Sequence, residues 1–319
     1  MSIAEPDFLR RIERKQPHGF LVASVRGVGQ VDLQPCIWTG VLILAGLWAA
    51  GWRIGLFATI GTLMSTATAH LAGVDRSNIA LGLQGYCGCL TGVALVTSLG
   101  AHTSTYALAV VGAIMCTVLM GALTVLFKPY GLTALTAPFC LVSGIMVVGA
   151  SSFSRVWHGA APSGFSTTGS TSLSWSELWH AFFTNVSQVF LVDKWYVGLI
   201  MLVGLACAGV RVLLWTVAGS VVGILAAWAL GAPASSIANG IYGYNAVLVA
   251  IAMGAVLLAA TVWNGGYTLV AAAVTTSLTA ALTAIFKTFG GHTFTWPFIL
   301  TTWAFMAAVP VLTRFRPAD

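Results

Sequence analysis

The chain has 319 residues, of which 58% are hydrophobic and only 7% charged, with a mean hydropathy of +0.92. Soluble domains carry about 25% charged residues, so this composition excludes a water-soluble enzyme of two or three domains and makes the bilayer the solvent. The net charge of +6 does not point to nucleic acid, because the basic residues are scattered over an N-terminal arm and loops, where they orient a membrane protein.

Residues 1–17 form a polar, charged arm without an apolar core or a small-residue cleavage site, and are expected to remain on the mature protein in the cytoplasm. A first unit, 18–152, carries RGVGQVDL at 26–33 and apolar spans at about 36–50, 54–73, 79–98, 105–127 and 132–152. The longest polar insertion runs from Phe153 to Lys194. Its Gly/Ser/Thr-rich stretch, 153–180, is expected outside the cell. A second unit, 181–313, carries TNVSQVFL at 184–191 and spans at about 195–210, 212–230, 237–260, 265–286 and 294–312, before a short cytoplasmic tail at 314–319. With both termini inside, nine of the fourteen Lys/Arg fall in the cytoplasm, four fall outside (Arg53, Arg155, Lys194 and Lys287), and Arg26 is unassigned. That asymmetry predicts an even number of crossings.

The two units match each other. At an offset of 158, SNIALGLQGYCGCLTGVA (77–94) faces SSIANGIYGYNAVLVAIA (235–252) with 8 of 18 positions identical, and RGVGQVDL shares Val, Gln, Val and Leu with TNVSQVFL. At 159, LTALTAPF (132–139) faces GHTFTWPF (291–298), keeping Thr136/Thr295, Pro138/Pro297 and Phe139/Phe298. Five spans per unit is an odd number, so the second unit is expected to enter the membrane from the opposite side, as an inverted repeat. Gly, Pro, Gln, Asn, Thr and Tyr inside these apolar blocks are the pattern of broken or re-entrant helices around a protected cavity, since free backbone groups do not face lipid.

Two readings stand for each polar pair. Gln30 and Gln188 either bond broken backbone nearby or act as solute ligands, each offering one acceptor and two donors. Thr136 and Thr295 either bond a carbonyl of their own helix or add acceptors to a cavity wall where Pro138 and Pro297 leave carbonyls unpaired. None of the eight acids, Asp32 among them, falls in the middle of a span, which disfavours proton- or sodium-coupled pumping. His70 and His292 are not repeat partners, and the six cysteines read as packing thiols. No motif argues for a metal, a cofactor or catalysis.

These residues resemble the urea transporter family. GYNAVLVA (243–250) is similar to its repeated Gly-Tyr/Phe-Asn segment, RGVGQV (26–31) to its Arg-Gly-x-Gly-Gln-Val segment, and LTALTAPF and GHTFTWPF to its twin Leu-Pro-x-x-Thr-x-Pro-Phe signatures. The resemblance covers about residues 20–315 and departs at Thr133 and His292, which replace the signature proline, at Cys87, which replaces the usual Asn, and at Gln34-Pro35-Cys36. It implies an all-α integral membrane protein with ten transmembrane helices plus re-entrant or tilted half-helices, two inverted repeats around a central pore, a homotrimer with one pore per subunit, and passive urea conduction in the cell membrane. By the family's pattern Gln30 and Gln188 bind at the two ends of the filter and Thr136 and Thr295 near its centre. Tyr86, Leu90, Tyr244 and Leu248, with Leu33 and Leu191, form the faces of a slot, and Val31 and Val189 belong to the pore. A channel for ammonia or other small amides and a proton-coupled permease are the rival readings.

Overall fold

A computed structural model describes residues 19–154, 156–157 and 169–318. The N-terminal arm (1–17) and much of the stretch 153–180, and with them Arg10, Arg11, Arg14, Lys15 and Arg155 of the charge count, lie outside the described residues. Among those described, all regular secondary structure is helical, apart from one isolated bridge, Leu258 to Pro317. Fourteen α-helices occur in two runs of seven. The first run is α1 (Phe20–Gly29), α2 (Ile37–Ala50), α3 (Trp52–Leu71), α4 (Arg76–Ala80), α5 (Tyr86–Leu99), α6 (Thr103–Phe127) and α7 (Ala137–Ala150). The second is α8 (Trp175–Ser187), α9 (Trp195–Ala208), α10 (Val210–Ala229), α11 (Ala234–Ala238), α12 (Tyr244–Val249, continued by a π-helical segment Ala250–Leu257), α13 (Val262–Lys287) and α14 (Trp296–Ala308).

Helix boundaries recur at the spacing of the sequence repeat. α2 and α9, α3 and α10, and α4 and α11 begin and end 158 residues apart, and α7 and α14 begin 159 apart. Backbone irregularities recur with them: Leu33 and Leu191 both have φ 58°, Gly82 and Gly240 have φ 82° and 74°, and Leu135 and Phe294 have φ 48° and 44°. The two runs join where α2 packs on α9 and where the Thr39 hydroxyl donates to Gly204 O at 2.7 Å.

Four helices, α3, α6, α10 and α13, are long and apolar enough to cross a bilayer, and the bent pairs raise the number to six. Ten crossings are the expectation from the sequence, and length and composition by themselves mark no more than six among the described residues. α5, α7 and α14, and α12 with its π segment, have only 13–14 residues, about 21 Å against a hydrocarbon core of about 30 Å. The predicted span 36–50 is the second arm of a bent pair that starts at Phe20: residues 20–32 and 37–50 meet at 80°, and 175–190 and 195–208 at 76°. Each bend follows a three-residue 3₁₀ turn, Gln30–Asp32 or Gln188–Phe190, that ends in a left-handed leucine. Hydropathy registers the apolar runs but not the point at which the helical hydrogen-bond series stops.

The bend also buries an acid. Asp32, which the sequence puts in the middle of no span, sits at the elbow of the first pair with 1% of its surface exposed, and neither carboxylate oxygen has a partner among the described residues.

Burial is greatest at α5 and α12. α5 lies against α3, α6 and α7, and α12 against α10, α13 and α14. The approach to α3 is that of two backbones: a Cβ on Gly61 would fall 2.0 Å from Gly88 O. Such small-residue contacts hold membrane helices together where no hydrophobic force favours helix over lipid.

Candidate functional site

The site is built where the short helices end. α7 and α14 start at Thr136 and Thr295, each the N-cap, with proline in the first turn. Proline suits that position because its missing N–H would have no intrahelical partner there. Pro138 and Pro297 therefore start helices and do not strip carbonyls of partners, contrary to the sequence reading. The Thr136 and Thr295 hydroxyls lie 2.6 Å apart and are both buried. They bond each other across the two runs, so the own-helix reading does not describe this pair. With the N-caps in contact, the N-terminal ends of α7 and α14 meet, and helix N-termini carry about half a positive charge.

Immediately before each threonine stands a bulky residue in the left-handed region, Leu135 or Phe294, at a backbone cost of about 1–3 kcal/mol. Tyrosines hold these residues. The Tyr86 hydroxyl donates to Leu135 O at 2.7 Å, and the Tyr244 hydroxyl donates to Phe294 O. Leu90 and Leu248, one turn further along α5 and α12, are fully buried, as are Val31 and Val189 at 1% exposure. All six side chains belong to one apolar cluster, with Leu33 and Leu191 packed against it.

The glutamines are placed differently. Gln30 Nε2 donates to Leu81 O at 2.8 Å, at the break that ends α4. Gln188 lines a cavity of about 700 Å³ together with Leu191, Asn239, Tyr244, His292 and Phe294, and its Oε1 is buried with no partner among the described residues. Gln30 is not among the residues lining that cavity. The structure thus brings together Thr136 with Thr295, and Gln188 with Leu191 and Tyr244. Charge at this cavity is confined to Asp193, Lys194 and Lys287, with Asp193 and Lys194 paired at 3.5 Å. His292 stacks on Phe294 (5.4 Å between centroids) beside Ser98.

Several residues that hold the candidate site together were given no role from the sequence. Asn245 Nδ2 donates to Thr279 at 3.3 Å, and its Oδ1 accepts from the Phe298 N–H at 3.3 Å, which tethers the first turn of α14. Its repeat counterpart, Cys87, contacts Leu135 O at 3.9 Å and faces the Phe139 backbone N–H with its sulfur, so the departure at Cys87 puts a weaker sulfur acceptor where the second run has an amide oxygen. Asn185 donates to the Ser220 hydroxyl at 3.1 Å. The Gly-Tyr-Asn block signalled Asn245. Nothing in the pattern signalled Leu135 or Phe294.

Two short helices meeting end to end in an apolar protein, with uncharged oxygens at the junction and a cavity on one side, define a membrane protein built to pass a small neutral solute. A model of the urea transporter family matches residues 21–310, and the chain belongs to that family. It is 30% identical to urea transporter 1 of Rattus norvegicus over 295 residues (90% of this chain and 76% of the relative). Against urea transporter 1 of Ovis aries it is 28% identical over 300 residues (92% and 78%). Membership of this family makes the chain a transporter and not an enzyme.

Proposed function

We propose that the chain is a passive channel for urea through a narrow uncharged pore, with ten crossings in two inverted halves, 18–152 and 181–313. On this reading it sits in the cell membrane, the bacterial inner membrane, as a homotrimer with one pore per subunit and both termini in the cytoplasm. The observation that carries the reading is the Thr136–Thr295 contact: residues 159 apart in a repeat touch each other when an axis relating the two halves runs between them. The recurrence of bends, turns and left-handed residues at one spacing supports the same symmetry.

The chemistry follows from the solute. Urea is planar and uncharged, with four N–H donors and one carbonyl, and each polar group taken from water without replacement costs several kcal/mol. Gln188 lines the cavity, and its Oε1 is a buried acceptor with no partner among the described residues. Gln30 stands at the matching position of the other half, and the threonine hydroxyls serve at the centre. Tyr86, Leu90, Leu33 and Val31, with Tyr244, Leu248, Leu191 and Val189, form the apolar faces. Cations meet two helix N-termini and no countercharge at the centre, so their desolvation goes uncompensated.

Stopped-flow light scattering on proteoliposomes, comparing urea, formamide, acetamide, ammonia and glycerol, tests the function. Urea is expected to equilibrate well above the rate in empty vesicles and never to accumulate, with or without a proton gradient. Accumulation driven by that gradient would establish a coupled permease instead.

Topology has its own test. Ser170 is exposed and expected outside the cell, so Ser170→Cys, made in a Cys207→Ser background because Cys207 is also exposed, should react with an impermeant maleimide added to intact cells. Labelling only from the cytoplasmic side would overturn the inverted arrangement.

A further inference from the structure

We propose that Cys140 is the positioning residue of the threonine pair: its thiol sets the direction of the hydrogen-bond chain at the constriction and so decides which threonine offers a proton to the solute. The proposal rests on the reading of the chain as a urea channel. Cys140 lies in the first turn of α7, its own N–H bonded to Thr136 O at 3.1 Å, and is 1% exposed. Its Sγ is 3.1 Å from Thr295 Oγ, and the Thr295 backbone N–H faces the same sulfur. Thr295 Oγ is in turn 2.6 Å from Thr136 Oγ. Three groups therefore stand in a row.

The sulfur already faces the Thr295 N–H as an acceptor, and a hydroxyl oxygen accepts better than sulfur, so the thiol is assigned as donor to Thr295 Oγ. Thr295 has one hydroxyl proton, and once its oxygen accepts from the thiol the acceptor left for that proton is Thr136 Oγ at 2.6 Å. The Thr136 proton is then left at the free end of the row, where a solute carbonyl accepts it. Repeat symmetry alone would give no preferred direction. At an offset of 159 from Cys140 stands Ile299, fully buried and without a polar atom in its side chain. The Ile299 side chain has nothing with which to orient the row the other way, so of this repeat pair Cys140 alone gives the threonine contact a direction.

The consequence is discrimination at the solute's acceptor. Urea offers a carbonyl oxygen to the Thr136 proton, whereas thiourea offers a sulfur that accepts poorly. The test compares urea and thiourea permeabilities in proteoliposomes for the wild type, Cys140→Val, Cys140→Ala and Cys140→Ser, with thermal melting of each. Cys140→Ser keeps a donor and is expected to retain the urea-to-thiourea ratio. Cys140→Val, close in volume, and Cys140→Ala, which only empties space, are each expected to lower it about threefold, the worth of one weak hydrogen bond in the crossing barrier. An unchanged ratio in Cys140→Val or Cys140→Ala overturns the proposal, as does an equal loss in Cys140→Ser, which would make the residue a packing element. Wild-type vesicles no more permeable to urea than empty ones would instead remove the urea reading itself.

Discussion

Replacing Thr136 or Thr295 with valine is expected to slow urea flux about 5- to 30-fold, because one hydrogen bond of about 1–2 kcal/mol disappears from the crossing barrier while side-chain shape is kept. Both hydroxyls are buried and each is the other's partner at 2.6 Å. A single replacement therefore removes an acceptor from the passage and also frees the surviving hydroxyl from its fixed direction. The double replacement should fall short of the product of the two single effects, since both remove the same shared bond and contacting residues are not additive. Stopped-flow flux per folded protein, read beside thermal melting, separates this from a structural role. Normal flux in both well-folded single variants would remove the threonines from the pore.

Gln188→Leu is expected to slow flux by a similar factor, about 5- to 30-fold, with little change in melting temperature. Its Oε1 has no partner among the described residues, so truncation costs the fold no bond through that atom. Gln30→Leu behaves differently. Its Nε2 bond to Leu81 O ties the first 3₁₀ turn to the break after α4, so this variant should lose about 1 kcal/mol of stability as well as flux. The sequence repeat alone treats the two glutamines as equivalent, and only the placement of their amides separates them. A Gln188→Leu protein that melts early but conducts normally would make this side chain structural.

Much of the candidate site was legible as a set of paired positions because polar residues inside apolar runs are conspicuous. The pairs Gln30/Gln188, Tyr86/Tyr244 and Thr136/Thr295 all lie in blocks that the repeat singles out. The left-handed positions were not legible. Rules of local conformation place glycine or asparagine at positive φ, yet Leu33, Leu191, Leu135 and Phe294 hold it here. Those four residues make the elbows and the helix starts on which the site depends. Tertiary contacts such as the tyrosine bonds to Leu135 O and Phe294 O override the local preference.

Composition and periodicity by themselves determined that this chain is helical and lives in a bilayer, because an apolar backbone in lipid must satisfy its own hydrogen bonds, and the internal match determined which residues answer to one another. Only the tertiary structure decided where helices break, that Asp32 is buried at an elbow, that the prolines begin helices, and that Thr136 meets Thr295 with Cys140 behind it. The reason is physical. Apolar surface is counted residue by residue along the chain, whereas a helix end, a buried acid or a shared proton depends on a partner that stands, as Thr295 does from Thr136, 159 residues away.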